Sequence, residues 1–332
     1  MKQTIKILLM LVVVWPIIVI AEESTEFSLS TWVSEGQTKW SFDNGSSLYG
    51  RPTSELDYQK VASHILEIGV NHVSMEGHKL ELNIGTGSVS SGLLVDDDYV
   101  SADGAISYNT TKTGEHRFSR THSEIDSGSV QYLKGQLMPK DLQIKSSKVE
   151  LGFGLIFSYW YEEYIATGVH WVECTALVVS DIRCLPAGTT ILQDRTVITN
   201  KVEWTGLGLA MGGTYQLTGK LALNFDLAYY PYMSLKNEDT HHLRPDAFAQ
   251  DPSISMNGDG TGVDLLAGLT MRYTNDVSIF VIYRYWERNW EGNTKNKDIT
   301  FYSPSGGATS YELLDFKTQR EGFSVGFKMK FD

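Results

Sequence analysis

The last twelve residues, EGFSVGFKMKFD, alternate without a break: Phe323, Val325, Phe327, Met329 and Phe331 fall on one face, Ser324, Gly326, Lys328 and Lys330 on the other. A period of two with one apolar face is the pattern of a β-strand, because successive side chains leave a strand on opposite sides. The pattern recurs along the chain. In VSIFVIYRYWERNW, Val277, Ile279, Val281, Tyr283 and Tyr285 oppose Ser278, Phe280, Ile282, Arg284 and Trp286; in LALNFDLAYYPYMSL, Leu221, Leu223, Phe225 and Leu227 oppose Ala222, Asn224, Asp226 and Ala228. LELNIGTG sets Leu80, Leu82, Ile84 and Thr86 against Glu81, Asn83 and Gly85. Apolar faces backed by polar or small ones and bounded by aromatics suit a barrel with lipid outside and polar groups inside.

The connections between these segments alternate in length. Short turns at 75–78, 217–220 and 274–277, and a somewhat longer one at 140–148, are interleaved with long polar stretches near 36–55, 92–123, 165–200, 237–259 and 292–317. Ten strands lie between them, at about 27–37, 56–74, 79–91, 124–138, 149–164, 201–217, 220–236, 260–273, 277–291 and 318–331. The expectation is an all-β fold, a ten-stranded antiparallel transmembrane β-barrel in the bacterial outer membrane, surrounded by outer-membrane lipid, with long extracellular loops and both ends on the periplasmic side. A secreted β-sandwich also alternates, but it does not require every second connection to be long. No repeat of fixed period points to a propeller or solenoid.

The N-terminus, MKQTIKILLMLVVVWPIIVIAEES, has the charged start, apolar run and small-residue cleavage site of a signal peptide over 1–21, leaving 22–332 as one barrel domain. An uncleaved anchor is the competing reading, against which the run falls short of the ~20 apolar residues of a spanning helix. A net charge of −12 without a basic cluster gives no footprint for nucleic acid. Cys174 and Cys184 lie ten apart. In an exported chain that spacing suits one disulfide closing a loop, or two free thiols, and two cysteines are too few for a zinc site. No metal or cofactor is implied.

Two acidic segments fall at the ends of outward-running strands. In LLVDDDYV, alternation points Asp96 and Asp98 one way and Asp97 the other. After the seventh strand, Asp239-Thr240-His241 faces Asp239 and His241 together, with His242 turned away. Strands three and seven lie on opposite sides of a ten-strand barrel, so the two groups can meet across its mouth. Three readings fit the aspartates: an acid/base pair, a solvated loop start, or a Ca²⁺ site, for which VDDDYVSADG matches the usual ligand spacing poorly.

These motifs resemble those of the omptin family, ten-stranded outer-membrane endoproteases. Val95-Asp96-Asp97-Asp98-Tyr99 is similar to the family's V-D-x-D-W segment, Asp239-Thr240-His241 to its D-x-H, Ser54-Glu55-Leu56-Asp57-Tyr58 to S-x-L-D-W, and Gly36-Gln37-Thr38-Lys39 to G-K-T-K. The resemblance implies an Asp239–His241 dyad and an Asp96/Asp98 pair that activate water against a peptide bond, in a monomer acting on peptide or protein substrates at the extracellular face. It assigns Trp40 and Asn237 to the substrate-binding positions where family members that cut between basic residues carry acids. The family's Y-x-E-x-R segment on strand five corresponds to Tyr159-Trp160-Tyr161-Glu162-Glu163, without the arginine. A catalytically silent barrel with a structural or adhesive role and a small pore are the competing functions.

Overall fold

The computed structural model describes residues 24–176, 184–249, 251–290 and 298–331. The signal peptide expected over 1–21 lies outside the described residues. The strands are β1 (Ser24–Asp43), β2 (Tyr49–Val73), β3 (Lys79–Val100), β4 (His116–Met138), β5 (Gln143–Lys145), β6 (Val149–Cys174), β7 (Thr190–Gln216), β8 (Leu221–His241), β9 (Ile254–Arg272), β10 (Val277–Trp290), β11 (Ile299–Tyr302) and β12 (Ala308–Phe331). A short α-helix, α1 (Ala102–Ser107), follows β3, and a single 3-10 turn, Lys140–Leu142, precedes β5. Ten strands form a ring in chain order, closed where β1 pairs antiparallel with β12 from Thr25↔Phe331 to Asp43↔Glu312. The small strand β5 pairs with β6, and β11 fills between β9 and β12. Closure leaves the ring without an unpaired edge.

The alternation read from the sequence sorts the two faces. Phe323, Val325, Phe327, Met329 and Phe331 are exposed on the outside, with Leu29, Val33, Leu66, Leu155, Leu207, Leu227, Leu269 and Val281 in the same apolar band. Among the described residues no helix is long and apolar enough to cross a membrane; the strands do so.

The strand bounds are longer than expected. A spanning strand needs about 9–11 residues, whereas β2, β6 and β7 run for 25, 26 and 27 residues. Most of the segments read as loops are paired strand continuing beyond the apolar band. Asp96 to Asp98 therefore sit within β3, opposite Leu56 to Ser54 of β2 and Thr121 to Ser119 of β4, not on a loop above it. Polar outward faces hide these extensions in the sequence, because a strand leaving lipid no longer needs apolar side chains to remain paired.

An aromatic layer packs across the lumen. Trp160 stacks on Tyr132 at 4.7 Å and meets Trp286 at 4.5 Å and Trp32 at 6.0 Å. Around this aromatic layer the buried charges are paired: Arg320 Nε with Glu162 at 2.7 Å, Arg284 with Glu67 at 2.5 Å, and Arg288 with Asp264 at 2.5 Å. The Arg320 guanidinium crosses directly over Gly36, where a Cβ would come within 2.6 Å of it. At this level side chains occupy most of the width of a ten-strand interior. This layer also forms the floor of the outer mouth.

Candidate active site at the outer mouth

The site is built from β2, β3, β7 and β8 where they rise above the apolar band. On β8, Asp239 is fully buried. Its Oδ2 accepts from the Tyr58 hydroxyl at 2.9 Å and from Asn200 Nδ2 at 3.4 Å. Its Oδ1 lies 3.9 Å from His241 Nε2. The His241 backbone is fixed by its N–H, which donates to Ser253 Oγ at 2.9 Å, while Ser253 Oγ donates to the Ala249 carbonyl. Its ring lies 5.4 Å from Phe248. The β8–β9 connection thus folds back to hold the imidazole from above.

Across the mouth, Ser54 donates to Asp96 Oδ1 at 3.3 Å, and Ser54 is also the cross-strand neighbour of Asp98. Ser54, Leu56 and Tyr58 share the inward face of β2, so one strand carries both the hydroxyl beside the Asp pair and the hydroxyl that holds Asp239. Burial raises the Asp96 carboxyl well above its ordinary range, and the Asp98 charge raises it further. Asp98 is raised by burial to about 6. Burial also lifts Asp239 to about 7, against the hydrogen bonds from Tyr58, Asn200 and the Thr240 backbone, and lowers His241 to about 4. Near neutral pH the imidazole is an unprotonated base and Asp98 is mostly ionised, while Asp96 holds its proton more tightly than an ordinary carboxyl. That is an acid/base set divided by environment.

Asp97 turns outward, as alternation requires, where Arg120 grips both of its oxygens and Arg117 lies 3.5 Å away. His242 also turns away and pairs with Thr199 Oγ1 at 3.0 Å. Glu238 points outward onto Lys236 at 2.8 Å. No group of three or more metal-ligating side chains forms among the described residues.

Trp40 and Asn237, which the resemblance assigns to substrate binding, lie beneath the mouth. Both are fully buried. Asn237 Oδ1 accepts from Asn200 Nδ2 at 3.0 Å, and Trp40 packs beside Phe42 with ring centroids 6.3 Å apart. They support the floor beneath the mouth. An indole at position 40 is wide enough to fill the space under the rim, and Asn237 is taken up by orienting the amide that holds Asp239.

Sequence reading assigned no role to Tyr58, Ser54, Asn200 or Ser253. Ser54 and Tyr58 lie in the SELDY segment and repeat at period two, a signal that could have placed them on one inward face. Nothing local marks Asn200 or Ser253. Cys174 and Cys184 are bonded to each other, with Cα atoms 5.7 Å apart. Cys184 packs against the small cluster of Val100, Ala105 and Phe118 above β3 and β4.

No family model and no curated protein matches the sequence. Among solved structures, the outer membrane protease OmpT from Escherichia coli aligns over 93% of this chain and 97% of its own, with a TM-score of 0.66 at 13% identity. Ail, the attachment invasion locus protein of Yersinia pestis, aligns over 92% of this chain and 98% of its own at 9% identity, but its TM-score of 0.27 carries no weight. At 13% identity the likeness to OmpT speaks to architecture alone. With the outward apolar band and the closed ten-strand ring, it makes this chain an outer-membrane β-barrel.

Proposed function

We propose that the protein is an endopeptidase of the outer membrane that hydrolyses peptide bonds at its extracellular mouth. The observation that carries this reading is the division of four ionisable groups between two facing walls: Asp239 and His241 on β8, Asp96 and Asp98 on β3. The imidazole takes a proton from water as its oxygen attacks the peptide carbonyl carbon. The imidazolium is supported by Asp239 and returns the proton to the departing amine as the C–N bond breaks. Asp96 and Asp98 hold the water from the opposite wall, sharing one proton because two close carboxylates resist double ionisation. No covalent nucleophile takes part.

A catalytically silent barrel, serving a structural or adhesive role, is the second reading. The 3.9 Å between His241 and Asp239 favours it, being longer than a hydrogen bond. Such contacts are often loose without substrate and tighten on binding. The test is cleavage of a mixed peptide library by the refolded barrel. His241→Ala, Asp96→Ala and Asp98→Ala should each lower the rate by at least about a hundredfold, with His242→Ala active. A barrel that cleaves nothing in a diverse library belongs to the silent class.

A further inference from the structure

The mouth carries a cation that forms no ion pair among the described residues. Arg244 follows His241 in a turn where its N–H donates to the His241 carbonyl at 3.4 Å and its own carbonyl accepts from Ala247 and Phe248. The guanidinium carbon lies 5.4 Å over the Phe248 ring, which in turn packs against His241. That stack holds a planar, exposed side chain beside the imidazole. Among the described residues its guanidinium makes no hydrogen bond and no ion pair. Its charge reaches both walls. Burial dominates the shifts there, but the Arg244 cation draws Asp98 down and presses His241 further down.

Asp98, on the facing wall, lies within reach of its charge without an ion pair to it; the outward acids next to the site are engaged elsewhere. Glu238 is bound to Lys236 on the outer wall, and Asp97 to Arg120. Trp40 and Asn237, beneath the cleft, are buried and uncharged. A cationic side chain entering this cleft would meet Arg244 with no pocket to receive it. A carboxylate would meet a guanidinium already stacked and fork-shaped, the geometry that binds carboxylates through two hydrogen bonds.

Resting on the endopeptidase reading, we propose that Arg244 is the specificity-determining residue of the cleft and that it selects peptides with a carboxylate side chain next to the bond cut. The preference is of opposite sign to that of a protease cutting between basic residues.

The test compares matched quenched peptides that differ only by Glu, Gln or Lys at each position flanking the cut. Cleavage is followed with the wild-type barrel, Arg244→Gln and Arg244→Glu. The wild type should favour Glu over Gln by about tenfold to a hundredfold in kcat/KM, mostly through KM. Arg244→Gln should bring that ratio to about one, and Arg244→Glu should move the preference to Lys. An unchanged Glu-to-Gln ratio in Arg244→Gln, or a uniform fall in kcat on every peptide, would overturn the assignment while leaving the protease reading intact. A second arm reads binding alone, by fluorescence anisotropy of the same peptides on His241→Ala at low and high salt. There the Glu peptide should bind more tightly than the Gln peptide, with an advantage that salt and Arg244→Gln both remove. Equal binding rejects the role of Arg244 even if no peptide is ever cut, whereas selective binding without cleavage by the wild type rejects only the hydrolysis.

Discussion

The Tyr58 hydroxyl donates to Oδ2 of Asp239 at 2.9 Å, joining β2 to β8 beneath the mouth. Both groups are fully buried. A buried carboxylate that accepts from a phenol and an amide is held in one orientation, so this contact aims the other oxygen, Oδ1, toward His241. The same strand delivers Ser54 to the Asp96/Asp98 wall, which makes β2 the element that sets the two walls relative to each other.

Tyr58→Phe removes the hydroxyl and keeps the ring packed 5.5 Å from Tyr164. A hydrogen bond to a charged group is worth about 1.5–3 kcal/mol, so cleavage should fall by about tenfold to a hundredfold. The loss of a donor to the ionised form should also move the acid limb of the rate profile upward by about one pH unit. A rate and profile identical to wild type would show that Asp239 does not depend on this contact.

The rate profile itself is a second test. Hydrolysis needs His241 unprotonated, with Asp98 and Asp239 ionised. His241 meets its condition above about 4, Asp98 above about 6 and Asp239 above about 7. The carboxylates, not the imidazole, therefore set the acid limb, and kcat/KM should rise between about pH 6 and 7. A limb centred near 4 would assign it to the histidine.

Stability should respond to the same groups with opposite signs. The carboxyl of Asp239 is raised from 3.8 to about 7 on folding, so its relative stabilisation is full below 3.8 and is lost as pH rises through 7. The imidazole of His241 is lowered from 6.5 to about 4, so its contribution is present above 6.5 and is lost as pH falls through 4. Asp239→Asn removes only the first effect. Heat-modifiable gel migration should show the variant gaining melting temperature over wild type at pH 8 relative to pH 5. The same offset at both pH values would mean that Asp239 is ionised throughout.

Asp97 separates catalysis from scaffold. It lies between the paired acids in sequence yet holds Arg120 and Arg117 on the outer wall. Asp97→Ala should leave cleavage within a few-fold of wild type. It should lower stability by about 1–2 kcal/mol, a modest cost because both arginines keep about a third of their surface in water. A loss of cleavage as large as that from Asp96→Ala, without loss of stability, would put the inward register of β3 off by one.

Period-two alternation follows from backbone geometry alone, and so the sequence was enough for the lipid-facing band, the ten-strand count and the shared direction of Asp239 and His241, and of Asp96 and Asp98. It was equally enough to turn Asp97, Glu238 and His242 away. What a local pattern cannot contain is the closure of the ring. Closure brings Tyr58 to Asp239 across 181 residues, sets Asn200 opposite Asp239, and buries the indole of Trp40 under the rim. The height of the strands above the membrane was hidden for a related reason: outside lipid, strand pairing rests on backbone hydrogen bonds between distant segments, which leave no apolar trace in the sequence. Arg244 shows the same divide, since the turn that stacks it on Phe248 beside His241 exists only once β8 and β9 are paired in the ring.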